Sequence, residues 1–324
     1  MPRFDTAIGR YIYISIDNVE YRVYFEEAGR GIPMLLQHTA GADGRQWRHL
    51  LEDAELQRDF RMIAYDLPYH AKSVPPTGIE WWRTEYKLTK DFLLKFVTTL
   101  ARELELERPV YMGSSIGGHL ATDLAMHHAE KFRAIIGLEA GILTPGGFDD
   151  QWNHPRVSNE YKASAMYGLM SPTSPEKYRR ETAWGYSQGA PPVFKGDLYY
   201  YSIDHDLTQT AEKIDATRTP LYLLTGEYDW ATTPEMSHEL ARRIKGAKYT
   251  TMKRMSPENA NPRDSRLLGC FTLAVKTCSK ASTPFLDSQL KVKSSDYDSR
   301  LESVDPHAFL SHCKINEGDD RRSI

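Results

Sequence analysis

Residues 110–119 read Val110-Tyr-Met-Gly-Ser-Ser-Ile-Gly-Gly-His119, in which two adjacent serines stand among glycines. The pattern Gly-x-Ser-x-Gly fits one of them, Ser115, with Gly113 and Gly117 at the glycine positions. Ser114 has larger residues at those positions. At this spacing a chain leaves a strand, turns sharply and enters a helix with the serine exposed at the turn. Ser115 is therefore the candidate nucleophile, and the glycines leave the turn the room it needs.

Short apolar runs bounded by turn residues recur on both sides of this stretch. They predict strands at 11–16, 21–25, 34–37, 62–65, 110–112, 134–138 and 221–224. Two segments of helical length, 85–104 and 117–128, lie between them. Alternating strands and helices predict the α/β class, with a doubly wound and mostly parallel sheet.

Two regions interrupt the alternation. Residues 146–216 are rich in Tyr, Trp and Pro, and we interpret them as a helical cap inserted into a core of residues 1–252. Residues 253–324 lose the pattern and contain every cysteine of the chain. We expect this last region to be a divergent and poorly ordered tail, or the product of a changed reading frame.

Composition excludes several functional classes. The chain of 324 residues is 40% hydrophobic and 26% charged, with a net charge of −3, so neither nucleic acid nor an anionic membrane is expected as a partner. No signal peptide or membrane-spanning run is evident. No nucleotide, metal or flavin motif is present, and we expect no cofactor. A cytoplasmic location is expected, with a peroxisomal one as the alternative. The final Arg-Ser-Ile is apolar at its last position, as in a Ser-Lys-Leu-type peroxisomal signal, but lacks the basic middle residue of that signal.

Four stretches together resemble the α/β-hydrolase fold family. They are "MLLQHTAGADGRQW" (34–47), "IAYDLPYHAKSVPP" (63–76), "GSSIGG" (113–118) and "PLYLLTGEYDWATTPE" (220–235). They occur in the family's order along the chain. A weaker resemblance, in "HTAGADGRQWRH" and "YLLTGEYD", is to hydrolases of fungal toxin gene clusters.

The resemblance implies a serine hydrolase that cleaves an ester, thioester or related acyl bond of a small apolar metabolite. Ser115 matches the nucleophile, and Asp229 matches the acid that orients a histidine. Backbone N–H groups of Ile116 and of the loop at Thr39 and Ala40 are expected to form the oxyanion hole. Thr39 stands where the family usually has glycine, so the sequence leaves open which amide of this loop points inward.

The expected catalytic histidine is missing. The family places it in the loop after the last strand, but no histidine lies between His238 and His307. His238 is too near Asp229 in sequence to reach Ser115. His307 and His312 are the remaining candidates for the base. If neither serves, the chain is a catalytically impaired protein that binds a small molecule in the same pocket.

The other polar candidates are interpreted as structural. His38 and His70 lie in loops where the family uses histidine structurally, and Asp66 is expected to organise a turn. His119, on the helix after the elbow, is expected to be a packing or surface residue, as are its neighbours His127 and His128. In the cap, Trp152, Trp184 and Tyr200 are expected to line the substrate pocket.

Overall fold

The computed structural model describes residue 2 and residues 4–252. Within them, the strands of a single sheet are β1 (Ile8–Ile16), β2 (Val19–Gly29), β3 (Ile32–Gln37), β4 (Phe60–Tyr65), β5 (Val110–Ser114), β6 (Ala134–Leu138), β7 (Leu221–Gly226) and β8 (Lys248–Met252). Their spatial order is β1-β2-β4-β3-β5-β6-β7-β8. Strand β2 pairs antiparallel with β1 and β4, and the remaining pairs are parallel. The predicted fold class is confirmed.

The α-helices of the described residues are α1 (Arg48–Leu51), α2 (Leu56–Asp59), α3 (Lys90–Glu103), α4 (Ile116–His127), α5 (Glu160–Leu169), α6 (Glu176–Gln188), α7 (Pro191–Tyr199) and α8 (Pro234–Arg243). Helix α3 begins five residues later than the sequence predicts. The Thr89 side chain accepts a hydrogen bond from the Phe92 N–H and so starts the helix there. None of these helices is long and apolar enough to cross a bilayer.

The sheet is apolar on both faces, as buried parallel strands require. Strand β3 shows the alternation, because Leu35 belongs to one buried cluster while Met34 and Leu36 belong to the other. Helices α3 and α4 pack on the Leu35 face. The other face is covered in part by Trp47 and by the short helices α1 and α2. The carboxyl ends of the central strands are thereby held at one edge of the sheet.

Helices α5, α6 and α7 fall within the segment predicted to be a cap, between β6 and β7. A π-helical turn, Tyr200–Asp204, continues α7. We keep the name cap for residues 146–216, and these boundaries stay a prediction. The predicted tail, 253–324, lies outside the described residues.

Helix α4 approaches strand β6 so closely that their backbones touch at Gly118. A Cβ on Gly118 would overlap the carbonyl oxygen of Leu138. Since that oxygen belongs to the backbone of a buried strand, no side-chain movement could relieve the overlap.

We expect Gly118→Ala to lower the free energy of unfolding by about 1–3 kcal/mol or more, because the helix must shift away from the sheet. Gly185→Ala is the matched control, since nothing lies within 4 Å of a Cβ at this position in helix α6. Alanine there should raise the free energy of unfolding by about 0.5–1 kcal/mol. Urea denaturation of both variants measures the difference, and equal effects would contradict the proposed contact.

Candidate active site

Ser115 occupies the sharp turn between strand β5 and helix α4. Its backbone has φ 55° and ψ −107°, in the left-handed half of the map that residues with side chains rarely adopt. Gly113 permits the turn, because a Cβ there would lie 2.5 Å from the carbonyl oxygen of Gly117. The structure therefore places Ser115 at a strand–turn–helix elbow, where it borders a large cavity.

The neighbouring serine has a different environment. Ser114 Oγ donates a 3.0 Å hydrogen bond to Oε2 of Glu139, the residue that follows strand β6. Both residues are buried, although both also border the cavity. This engaged hydroxyl supports the choice of Ser115 over Ser114 as the candidate nucleophile.

Asp229, the predicted acid, follows strand β7 and borders the same cavity as Ser115. Its Oδ1 accepts hydrogen bonds from the N–H groups of Ala231, at 2.8 Å, and Thr232, at 2.9 Å. Its Oδ2 is buried and has no hydrogen-bond partner among the described residues. Burial raises the pKa of this carboxyl group from 3.8 to about 7, against the opposing effect of the two amides. Glu227, the other acidic residue of the stretch Gly226-Glu-Tyr-Asp229, is exposed.

The hydrogen bonds of the loop after strand β3 show which of its backbone N–H groups are available for an oxyanion hole. The Thr39 N–H donates a 2.8 Å hydrogen bond to Oε1 of Gln46, so the prediction for Thr39 is wrong. The Thr39 N–H is therefore engaged by Gln46 and is not available to a substrate. The next amide, of Ala40, has no acceptor among the described residues, and Ala40 borders the cavity. As the first residue of helix α4, Ile116 has an N–H without a partner inside the helix. Ala40 and Ile116 stay the predicted donors.

No imidazole among the described residues has a hydrogen bond to the Ser115 hydroxyl. The ring of His119 is near, but its Nδ1 contacts the Ser115 carbonyl oxygen at 3.2 Å and its Nε2 contacts Thr144 Oγ1 at 3.1 Å. The two candidate bases, His307 and His312, lie outside the described residues. The site therefore contains a candidate nucleophile and a candidate acid, and the base expected to lie between them stays unassigned.

The three loop residues interpreted as structural have internal partners. His38 Nδ1 donates to the Thr39 carbonyl oxygen at 2.8 Å, and its Nε2 accepts the Leu67 N–H at 3.1 Å. Burial, reinforced by the charge of His70, lowers the pKa of His38 to about 4. Asp66 accepts the N–H groups of two loops, and burial raises its pKa to about 6. His38 and Asp66 therefore connect loops, and His70 contacts the cap.

The cavity beside Ser115 has a volume of about 910 Å³ and is lined largely by cap side chains. Its aromatic lining consists of Trp152, Tyr161, Tyr178, Trp184, Tyr186, Phe194, Tyr201 and Trp230. Trp152 stacks on Tyr161, whereas Trp184 is half exposed at 53%. Both tryptophans border this cavity, and its identity as the substrate pocket stays a prediction. A cavity of this size can hold a drug-sized apolar ligand.

Tyr200 does not line this cavity, and the prediction for it is wrong. Its hydroxyl donates a 2.7 Å hydrogen bond to Asp123 in helix α4, and the side chain is fully buried. The π-helical turn directs consecutive side chains to different sides, so Tyr201 borders the cavity instead. The Tyr201 hydroxyl contacts Thr232 Oγ1 at 2.6 Å and lies close to the side chains of Ser115 and Thr144.

A buried polar cluster that sequence reasoning missed lies beneath the elbow. Asp123 Oδ2 accepts from Tyr200 and from Nδ1 of His205, at 2.9 Å, while His205 Nε2 donates to the Gly141 carbonyl oxygen at 3.0 Å. The His205 ring also packs edge-on against His119. Isolated polar residues in a loop and a helix give no periodic signal, so only their positions in space reveal the cluster.

A serine at a strained strand–helix elbow and a buried carboxylate after a later strand, at one edge of a mostly parallel sheet, define the α/β-hydrolase class of protein. Residues 32–173 match the model of a family described as alpha/beta hydrolase fold. The chain has the α/β-hydrolase fold, and its residues 32–173 resemble this family in sequence.

Several curated relatives are named as hydrolases, and they match part of the chain. Bifunctional epoxide hydrolase 2 of Sus scrofa is 32% identical over 122 residues, which are 38% of this chain and 21% of that protein. The 2-hydroxymuconate semialdehyde hydrolase of Pseudomonas sp. (strain CF600) is 26% identical over 157 residues, which are 47% of this chain and 52% of that protein. The chain thus spans a fifth to a half of the length of these relatives.

Solved structures share the fold over a longer stretch. A hydrolase from Pseudomonas aeruginosa PA01 superimposes with a TM-score of 0.67 at 19% identity, covering 83% of this chain and 97% of that one. At this identity the likeness establishes the architecture alone.

The buried Asp229 should make stability depend on pH. Because the folded state keeps this proton up to about pH 7 while the unfolded chain releases it near 3.8, the folded state binds more protons between these values. Stability contributed by Asp229 is therefore lost as the pH rises through this window, by about 1.4 kcal/mol per pH unit.

We expect Asp229→Asn to remove this dependence, so that the variant gains stability relative to the parent between about pH 4 and pH 7. Urea unfolding at several pH values measures the difference in unfolding free energy between Asp229→Asn and the parent. If this difference does not change with pH, the pKa of Asp229 is not raised, and Asp229 is ionised and has a cationic partner.

Proposed function

We propose that this chain is a serine hydrolase that cleaves an ester, thioester or related acyl bond of a small apolar molecule. Ser115 is the nucleophile, Asp229 is the acid, and the N–H groups of Ile116 and Ala40 hold the oxyanion. The shared cavity carries the proposal, because it is bordered both by a strained serine and by a residue with an unpaired buried carboxyl oxygen.

The chemistry follows from these positions. Ser115 Oγ attacks the carbonyl carbon of the substrate, and the carbonyl oxygen becomes an oxyanion that accepts from the two N–H groups. The leaving group then departs with a proton, and water cleaves the acyl-serine intermediate. Each step needs a group that moves the proton. Once ionised, Asp229 Oδ2 can accept the N–H of an imidazole, and this pairing lowers the raised pKa of the carboxyl group. We assign that imidazole to His307 or His312.

The cavity supports an apolar and partly aromatic substrate, since eight Trp, Tyr and Phe side chains lie among its lining residues. A role in secondary-metabolite or toxin biosynthesis belongs to the proposal and rests on the resemblance of residues 38–49. The relatives named as hydrolases of epoxides and of a semialdehyde support hydrolysis as the reaction class.

A second candidate function is binding without turnover. It is favoured by the lack of an imidazole at the Ser115 hydroxyl among the described residues. Under this reading the cavity and its aromatic lining persist, while the reaction is slower by several orders of magnitude. Turnover of p-nitrophenyl butyrate by His307→Ala and His312→Ala distinguishes the two, because loss of activity in either variant identifies a recruited base.

The first test of the proposal is covalent labelling. A fluorophosphonate probe should label the parent at Ser115, and Ser115→Ala should abolish both labelling and esterase turnover, since the substitution removes the nucleophile. Ser114→Ala is the control, because its hydroxyl is engaged by Glu139. Labelling that persists in Ser115→Ala, or that maps to Ser114, refutes the assignment.

The cap should determine the preferred acyl chain. Trp184→Ala opens the rim of the cavity, so the ratio of kcat/KM for p-nitrophenyl octanoate to that for the butyrate ester should change by at least about fivefold.

Tyr200→Phe is the control for Trp184→Ala. It removes a hydrogen bond of the protein interior, so it should leave the ratio unchanged while lowering the unfolding free energy by about 1 kcal/mol. If the two variants prefer the same esters, the cap does not select the substrate.

A further inference from the structure

The cap helix α7 carries a buried carboxylate, Asp197, that reaches the oxyanion loop. Its Oδ2 accepts the Gly41 N–H at 2.7 Å and contacts Nε2 of His70 at 2.8 Å. Its Oδ1 accepts the Tyr86 hydroxyl at 3.1 Å. Gly41 directly follows Ala40, the residue whose N–H we assign to the oxyanion hole. Asp197 therefore connects the cap to the loop that must present this amide.

The hydrogen bonds of His70 define its charge. Nε2 faces a carboxylate oxygen and Nδ1 faces the Pro68 carbonyl oxygen at 2.9 Å, and neither oxygen can donate. Both ring nitrogens must therefore carry protons, which makes His70 an imidazolium paired with Asp197. The pKa of His70 agrees: burial lowers it, but Asp197 and the hydrogen bonds outweigh burial and raise it above 6.5.

Two further cap contacts restrain the same loop residue. Gly189, between helices α6 and α7, approaches the Gly41 carbonyl oxygen so closely that a Cβ would overlap it. On the other side, a Cβ on Gly41 itself would lie 2.6 Å from the Phe194 ring. Gly41 has φ 59°, a conformation that favours glycine. The cap thus surrounds Gly41 with a carboxylate, a backbone segment and an aromatic ring.

We propose that Asp197 and His70 form a positioning ion pair, which holds the oxyanion loop through the Gly41 amide and couples the oxyanion hole to the seating of cap helix α7. The inference rests on the proposed function, since it concerns the same oxyanion hole. Asp197 and His70 touch no reacting atom and act through the position of Ala40.

The variant Asp197→Asn removes the negative charge of this side chain while nearly keeping its size and shape. An amide oxygen at the Oδ2 position can still accept from Gly41, but it leaves a buried imidazolium without a counter-ion. An amide nitrogen there suits a neutral His70 but cannot accept from Gly41. Either orientation of the Asn amide therefore removes one of the two interactions of Asp197, the ion pair with His70 or the hydrogen bond from the Gly41 N–H.

We expect Asp197→Asn to slow fluorophosphonate labelling of Ser115 by at least about tenfold, less than the loss of a whole oxyanion donor. The control is Lys195→Met in the same helix, which removes ion pairs to Glu85 and Asp150 at the cap surface. It should label within about twofold of the parent, because it does not contact the oxyanion loop. Circular dichroism confirms that both variants fold.

Two measurements on the intact chain require no activity. Nitrogen-15 NMR should show both ring nitrogens of His70 protonated in the parent and one deprotonated in Asp197→Asn. Hydrogen exchange of the Gly41 amide should be at least about tenfold faster in the variant. Labelling and exchange rates within about twofold of the parent, or a neutral His70 in the parent, overturn the inference. If the parent itself is not labelled, the proposed function fails, and the NMR and exchange results still decide whether the ion pair holds the loop.

Discussion

Contact between the backbones of helix α4 and strand β6 is the constraint on which the geometry of the site depends. The Ser115 N–H donates to the Leu138 carbonyl oxygen at 3.0 Å, and Gly118 lies against the same oxygen one helical turn later. The helix must therefore begin immediately after strand β5, and only a strained residue at the turn allows this. The strain places the hydroxyl of Ser115 at the sheet edge and directs the first helical N–H groups toward the same space.

Burial and local hydrogen bonds determine the protonation states of the titratable side chains around the Ser115 turn. His70 is an imidazolium because both of its nitrogens face pure acceptors, and its charge helps to keep the adjacent His38 neutral. Asp229 has two amide donors but no cation among the described residues, and burial raises its pKa to about 7. Each protonation state thus follows from the local balance between desolvation and specific partners.

The cap contributes to the cavity and to the oxyanion loop through side chains of different helices. Aromatic residues of α5 and α6 form the apolar walls, whereas Asp197 of α7 holds Gly41. The turn after α7 adds Tyr201, whose hydroxyl reaches Ser115 and Thr232. Under the proposed function, substrate binding and oxyanion geometry are connected through one inserted segment, and a change in its packing should alter both.

The sequence alone determined the features that depend on near neighbours along the chain. Glycine spacing around Ser115 predicted the elbow, and apolar runs between turns predicted the sheet, because steric limits and side-chain alternation act over a few residues. Asp229 came from the family resemblance. Tertiary structure decided the rest: which amide of the oxyanion loop is free, and which tyrosine faces the cavity. Gln46 accepts the Thr39 N–H, and Tyr200 is buried at the start of a π-helical turn. Both outcomes depend on the three-dimensional packing of buried polar groups, which leaves no local pattern in the sequence.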